Sequence, residues 1–94
     1  MEWHVYILKC RDGTYYVGRT SNIESRLSAH KQGIGCDYTA QRLPVQLLFT
    51  ELFDSENSAY NAEQQIKGWS RKKKEAYMKN DWSTIVRLSN KKSL

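Results

Sequence analysis

No apolar stretch in this chain approaches the ~20 residues that a membrane-spanning helix needs. Nor does Met1-Glu2-Trp3-His4 place basic residues ahead of an apolar run. No secretory signal is therefore expected, and the cytoplasm is the expected location. Cysteine is scarce, with only Cys10 and Cys36. The pair could form one disulfide, but without a secretory signal reduced thiols are the expectation. Neither belongs to a CxxC pair or a Cys/His cluster of zinc spacing. Internal repeats and linkers are also missing, and 94 residues suit one domain. A domain of that size has room for a single modest core.

Hydrophobic residues make up 39% and charged residues 27%, which is the composition of an ordinary globular protein. Fifteen Lys and Arg stand against ten Asp and Glu, for a formal net charge of +5. That balance suits a polyanionic partner, although many small basic proteins bind no nucleic acid.

Residues 3–9 and 14–19 are rich in β-branched and aromatic types, with Cys10-Arg11-Asp12-Gly13 between them. This pattern predicts a β-hairpin. Ser21 followed by Glu24 reads as a capping box opening a helix over about 22–32, with Ile23 and Leu27 inward and Gly33 and Gly35 ending it. Residues 36–44 read as a loop closing at Pro44, and Val45–Phe53 as a strand with an apolar middle at Leu47-Leu48-Phe49. Asp54 or Ser55 can cap a helix over about 56–68, whose inner stripe is Ala59, Ala62, Ile66 and Trp69. A third helix covers 71–79, and Trp82, Ile85 and Val86 keep helical spacing for a short last turn. The predicted architecture is α+β: a small three-stranded antiparallel sheet packed with helices, in the order β-β-α-β-α-α. One domain is expected over 1–88, with a flexible tail over 89–94.

His4-Val5-Tyr6 and Tyr16-Val17-Gly18 are separated by nine residues on the two hairpin strands. Arg26 follows in the first helix with His30 one turn later, and Glu63 lies in a later helix. In this order and on these elements, the chain resembles the GIY-YIG nucleases over about residues 3–80. The likeness is greatest to short stand-alone bacterial members and to the nuclease domain of the junction-cutting, structure-selective endonuclease subunit. His4 replaces the first glycine of the family name and Val17 its second isoleucine, both at strand positions where backbone shape matters more than chemistry. The resemblance implies an endonuclease that hydrolyses phosphodiester bonds in DNA, in repair or recombination, with one Mg2+ or Mn2+. RNA stays open as a substrate, and a protein partner could supply specificity. No membrane partner is expected. The resemblance makes Tyr16 the base or water-positioner, Tyr6 its hydrogen-bonding neighbour, and Glu63 the metal ligand. Some relatives use a further asparagine, for which Asn61 and Asn80 are both candidates.

The chemistry suits these residue types. Phosphodiester hydrolysis needs an activated water and stabilisation of charge on the transferring phosphate. A phenol with a pKa near 10 is a poor base unless cations lower it, a role open to Arg19 and Arg26 at Tyr16. Arg26 can clamp phosphate oxygens through its planar fork. His30, at i+4, could relay a proton or touch phosphate. A carboxylate beside an apolar stripe, as at Glu63, is costly unless paired or metal-bound. Arg19, Lys31, Lys67, Arg71, Lys72 and the run to Lys74 are expected to hold the phosphate backbone. Each feature also has a plain structural reading. The tyrosines can simply pack, Arg26 and Glu63 can pair with each other, His30 can be a core-edge residue, and the basic run can be a solvated helix face. A nucleic-acid-binding module that keeps the fold without turnover is the alternative function, and a protein-interaction subunit that needs a partner for activity is a third.

One expectation is sharp. A two-residue turn at Asp12-Gly13 would place Tyr6 and Tyr16 on opposite sheet faces, because faces alternate with period 2. A three-residue loop, Arg11-Asp12-Gly13, sets Tyr6 opposite Gly18 and Tyr16 opposite Leu8, on one face, with Gly13 in the left-handed bulge position.

Overall fold

The computed structural model describes residues 2–90. In chain order the elements are β1 (Trp3–Lys9), β2 (Tyr15–Thr20), α1 (Ile23–Lys31), α2 (Asp37–Ala40), β3 (Gln46–Phe53), α3 (Glu56–Lys67), α4 (Arg71–Met78) and α5 (Trp82–Asn90). The sheet is antiparallel with strand order β2-β1-β3, so both β2 and β3 are edges. The α+β architecture agrees with expectation, with two additions. A single helical turn, α2, stands where a loop was read. The last helix is nine residues long rather than a short turn. Of the tail expected at 89–94, Ser89 and Asn90 belong to α5, and 91–94 lie outside the described residues.

The hairpin takes the three-residue loop. Cys10 N–H donates to the Thr14 carbonyl and Gly13 N–H to the Cys10 carbonyl, and Gly13 adopts φ +86°, a left-handed conformation that costs a side-chain-bearing residue more than glycine. Paired numbers on β1 and β2 sum to 24, as in Tyr6 opposite Gly18 and Leu8 opposite Tyr16. Both tyrosines therefore share a face.

That parity divides the core. On one face Val5, Ile7 and Val17 pack with Ala59 and Ile66 of α3, Ala76 and Tyr77 of α4, and Ile85 of α5. On the other, Tyr6, Leu8 and Cys10 pack with Ile23 and Leu27 of α1. The register between β1 and β3 shifts after Ile7, leaving Leu48 as an extra residue between Phe49, opposite Ile7, and Leu47, opposite Leu8. This β-bulge turns Leu47 towards the Tyr6 face while Phe49 stays on the opposite one, and it leaves Leu48 at the surface. The bulge thus distributes the apolar middle of the strand over two faces and the surface.

The helix starts follow side-chain chemistry. Asn22, not Ser21, caps α1 by accepting from Ser25 N–H; Ser55 caps α3 and Ser70 caps α4 in the same way. Ser21 fails as a cap because the cap position falls one residue later, where the Asn22 carboxamide reaches the free N–H. Among the described residues, no helix is long and apolar enough to cross a membrane.

Candidate active site

Beside Gly18 the sheet gives way to a polar cavity of about 310 Å3, lined by Trp3, Tyr6, Tyr16, Gly18, Arg19, Arg26, Glu56 and Glu63. Because β2 is an edge strand, the space runs round that edge. It collects Tyr6 and Tyr16 from one sheet face and Arg19 from the other. Gly18 makes this possible: a Cβ there would lie 2.5 Å from the Tyr6 hydroxyl oxygen. The backbone of β2 thus lies directly against the phenol.

Tyr6 is almost wholly buried and His30 completely so. Tyr6 Oη lies 2.9 Å from His30 Nε2, and His30 Nδ1 lies 2.8 Å from Thr39 Oγ1. Burial, with Arg26 nearby, lowers the His30 pKa and favours the neutral ring. The Thr39 hydroxyl donates to the Cys36 carbonyl at 3.4 Å. The consistent assignment has His30 Nδ1–H donating to Thr39 and Nε2 accepting the Tyr6 proton. Burial also drives the Tyr6 pKa upward, which keeps the phenol a donor. His30 therefore positions Tyr6. With both ring nitrogens engaged and no surface exposed, it cannot touch phosphate, contrary to one of the roles open to it from sequence. Gly35 crosses close to this ring; a Cβ there would lie 2.5 Å from Nδ1.

Tyr16 is half-buried and packs against both partners, with ring centroids 6.4 Å from Tyr6 and 5.2 Å from His30. Its pKa is pushed up to about 12, first by burial and then by the Cys36 thiol and the Glu63 charge; Arg26 opposes this only in part. The expectation that Arg19 and Arg26 would lower it is not met, because burial outweighs Arg26 and Arg19 is committed elsewhere. The Cys36 thiol is itself raised by burial, but hydrogen bonds from Thr39, Tyr16 and Tyr38 more than offset this and hold it below its ordinary range. Cys10 and Cys36 are both free thiols.

Glu63 projects from α3 and is 4% exposed. Its Oε1 accepts from Arg19 Nη1 at 2.6 Å and its Oε2 pairs with Lys67 Nζ at 3.0 Å. Arg19 also reaches Glu56 at 3.4 Å and lies over the Tyr60 ring. The structural pairing considered between Arg26 and Glu63 is absent. Arg26 is exposed, forms no ion pair among the described residues, and lines the cavity.

Tyr6, Tyr16, Arg26 and Glu63 thus face one space, with His30 directly behind. The expected phosphate-binding residues divide. Arg19 and Lys67 hold Glu63. Arg71 is tied into the fold, donating to the Gly13 carbonyl, pairing with Glu75 and lying over the Tyr15 ring. Lys31 and Lys72 are exposed. Neither Asn61 nor Asn80 lines the cavity; Asn80 takes a positive φ and accepts from the Trp82 indole. Thr39, Cys36 and Tyr38 go unrecognised in the sequence, because they sit in the segment read as a loop and no spacing marks them.

The GIY-YIG catalytic domain model matches residues 2–77. A UPF0213 protein of Bacillus licheniformis is 48% identical over 75 residues, covering 80% of this chain and 77% of that one. One of Halobacterium salinarum is 48% identical over 73 residues, covering 78% and 95%. Among solved structures, the solution structure of a UPF0213 protein from Bacillus halodurans is 39% identical, with a TM-score of 0.56 over 84% of each chain. That of a protein from E. faecalis is also 39% identical, with a TM-score of 0.61 over 85% of each. Motif, sheet parity, shared cavity and these similarities lead to one conclusion: the chain belongs to the GIY-YIG catalytic domain family, a nuclease superfamily.

Proposed function

We propose that this protein is a metal-dependent endonuclease that hydrolyses phosphodiester bonds in DNA. The observation that carries the reading is the single cavity in which Tyr6, Tyr16, Arg26 and Glu63 meet. Arg26 is free to clamp a phosphate through two N–H groups. Tyr6 donates its hydrogen bond to His30 and presents the lone pairs of its oxygen as acceptors. Tyr16, held neutral by burial, suits the positioning of a water better than the removal of its proton.

The donor set fits a hydrated magnesium or manganese ion and no caged metal. Glu63 is a buried carboxylate already balanced by two cationic side chains. No group of three His, Cys, Asp or Glu side chains stands together among the described residues. An ion held there would keep most of its ligands as water, which is magnesium's habit. Glu63 would hold it in place of Arg19 or Lys67. When bound, the metal would polarise the phosphate and stabilise the leaving oxygen. A role in repair or recombination, selectivity for branched DNA, and a protein partner that sharpens it all belong to this reading. The likeness of the motif to the junction-cutting subunit supports them.

A second reading is a binding module without turnover, favoured by the two ion pairs that already satisfy Glu63. Cleavage by the parent protein separates the two, and Glu63→Gln tests the metal ligand. Under the nuclease reading, single-turnover cleavage in magnesium falls by on the order of 10³-fold or more. Stability also drops, by about 1–3 kcal/mol, because two cations lose their buried partner. A destabilised variant that cuts at the parent rate would refute the metal-ligand assignment. A parent protein that binds DNA but never cuts it, on linear or branched substrates, would establish the binding module.

A further inference from the structure

A second cavity, of about 350 Å3, lies along the same edge of β2, lined by Tyr15, Tyr16, Val17, Tyr38, Lys67 and Lys74. It shares Tyr16 with the candidate active site, and its Lys67 pairs with Glu63 of that site. One wall is aromatic. The rings of Tyr16 and Tyr38 lie 6.0 Å apart and stack at 30°, and the Arg42 guanidinium sits 3.8 Å from the Tyr38 centroid. Arg42 is pinned by Asp12 and by the Tyr38 carbonyl, so the column is already ordered. Tyr38 is 38% exposed, so its ring is open to a ligand from solvent. The opposite wall is cationic. Lys74 is half-buried, forms no ion pair among the described residues, and its pKa is lowered by burial. A half-buried lysine without a counter-ion on the wall of a groove is suited to an anion that arrives from outside.

A groove with a pre-stacked aromatic wall and a facing lysine matches the way proteins take single-stranded nucleic acid, with bases on the rings and phosphates on the cations. Duplex DNA presents no unstacked base to such a wall. We infer that this groove binds an unpaired DNA segment next to the phosphate held at Arg26, with Tyr38 as the stacking platform and Lys74 as the phosphate contact. The inference rests on the nuclease reading and deepens it, because it makes the preferred substrate a junction between duplex and single strand.

The test is equilibrium binding by fluorescence anisotropy, with the parent protein in chelator so that nothing is cut. A blunt duplex is compared with the same duplex carrying a single-stranded DNA extension, and with one whose extension is abasic. The base-bearing extension should raise affinity roughly ten-fold over the blunt duplex. The abasic extension, with the same phosphates, should recover little of that. Tyr38→Ala and Lys74→Gln should each collapse the ratio of extended to blunt affinity, and Tyr38→Phe should keep it. Tyr38 is exposed, so its replacement should leave the fold intact, which a melting curve checks. Equal affinity for the blunt and base-bearing duplexes overturns the inference, as does an abasic extension bound as tightly as a normal one. Cutting is then assayed with magnesium. A preserved binding preference without cutting refutes the nuclease reading alone, whereas cutting without the preference refutes the groove alone.

Discussion

Arg26 and His30 sit one turn apart on α1, yet their surroundings assign them opposite parts. Arg26 is exposed and forms no ion pair among the described residues, so its replacement should barely touch stability, within about 0.5 kcal/mol. If its work is on the transition state, Arg26→Ala should slow cleavage by on the order of 10²-fold or more while DNA affinity changes far less. Arg26→Lys should rescue poorly, because an ammonium cannot make the bidentate contact. Parent-rate cutting by both variants would make the arginine irrelevant to the chemistry. His30 is the reverse case: buried, hydrogen-bonded at both nitrogens, and favoured neutral. Its pKa is lower folded than unfolded, so the unfolded chain binds more protons as pH falls. The stability His30 contributes is therefore full above the ordinary histidine pKa of about 6.5 and is lost progressively below it. Urea unfolding of the parent between neutral and mildly acidic pH should show that decline. His30→Gln should flatten it in the same window. Asp12, Glu75 and Asp81 also titrate away from their usual values, but all three are lowered and act only at more acidic pH. An unchanged slope in His30→Gln would remove the histidine from this account.

At the scale of elements, the hairpin is what brings the two tyrosine motifs together. Its three-residue loop sets the parity, and the parity puts Gly18 opposite Tyr6. Tyr6 is held by His30 and by the core around it, so it has little room to yield. Gly18→Ala should therefore force the phenol or the strand aside, at a cost of about 1–3 kcal/mol. Cleavage should suffer with it, since the displaced ring is the one that faces the cavity. Chemical denaturation paired with a cleavage assay reads both effects. An alanine variant with parent stability and parent activity would show that β2 does not need the close approach.

For the whole molecule the governing quantity is charge. The formal net charge is +5, but Arg19, Lys67 and Arg71 spend much of theirs inside the fold. Binding to duplex DNA is then expected to draw on Lys31 and Lys72, with Arg26 at the site. Each phosphate contact should add about −0.9 to the slope of log affinity against log salt concentration. Lys72→Gln should make that slope shallower by roughly one contact's worth, without altering sequence preference. Titrations at several salt concentrations measure it. Affinity that ignores salt would rule out backbone binding by this face.

Local rules determined most of the elements here. Strand composition, a glycine in the hairpin loop, serine caps and the Ala59–Ile66 stripe are short-range signals, and each acts within a few residues. The shared face of Tyr6 and Tyr16 turned on whether one loop holds two residues or three, and the loop holds three. Where the local signal was ambiguous the reading slipped by one position, as at the α1 cap, or missed a single turn, as at α2. What residues distant in sequence do to one another lay beyond such rules. The Leu48 bulge belongs to the pairing of β3 with β1, which neither strand's own sequence displays. Glu63 pairs with Lys67 one turn on, which is a local contact, but its other partner is Arg19, 44 positions away on another element, and not Arg26. Burial decided that Tyr16 is harder, not easier, to deprotonate, since desolvation of a charge depends on every group packed around it. Tyr38 and Lys74 carry no motif at all; only the packing of α2 and α4 against opposite sides of β2 brings them to one groove.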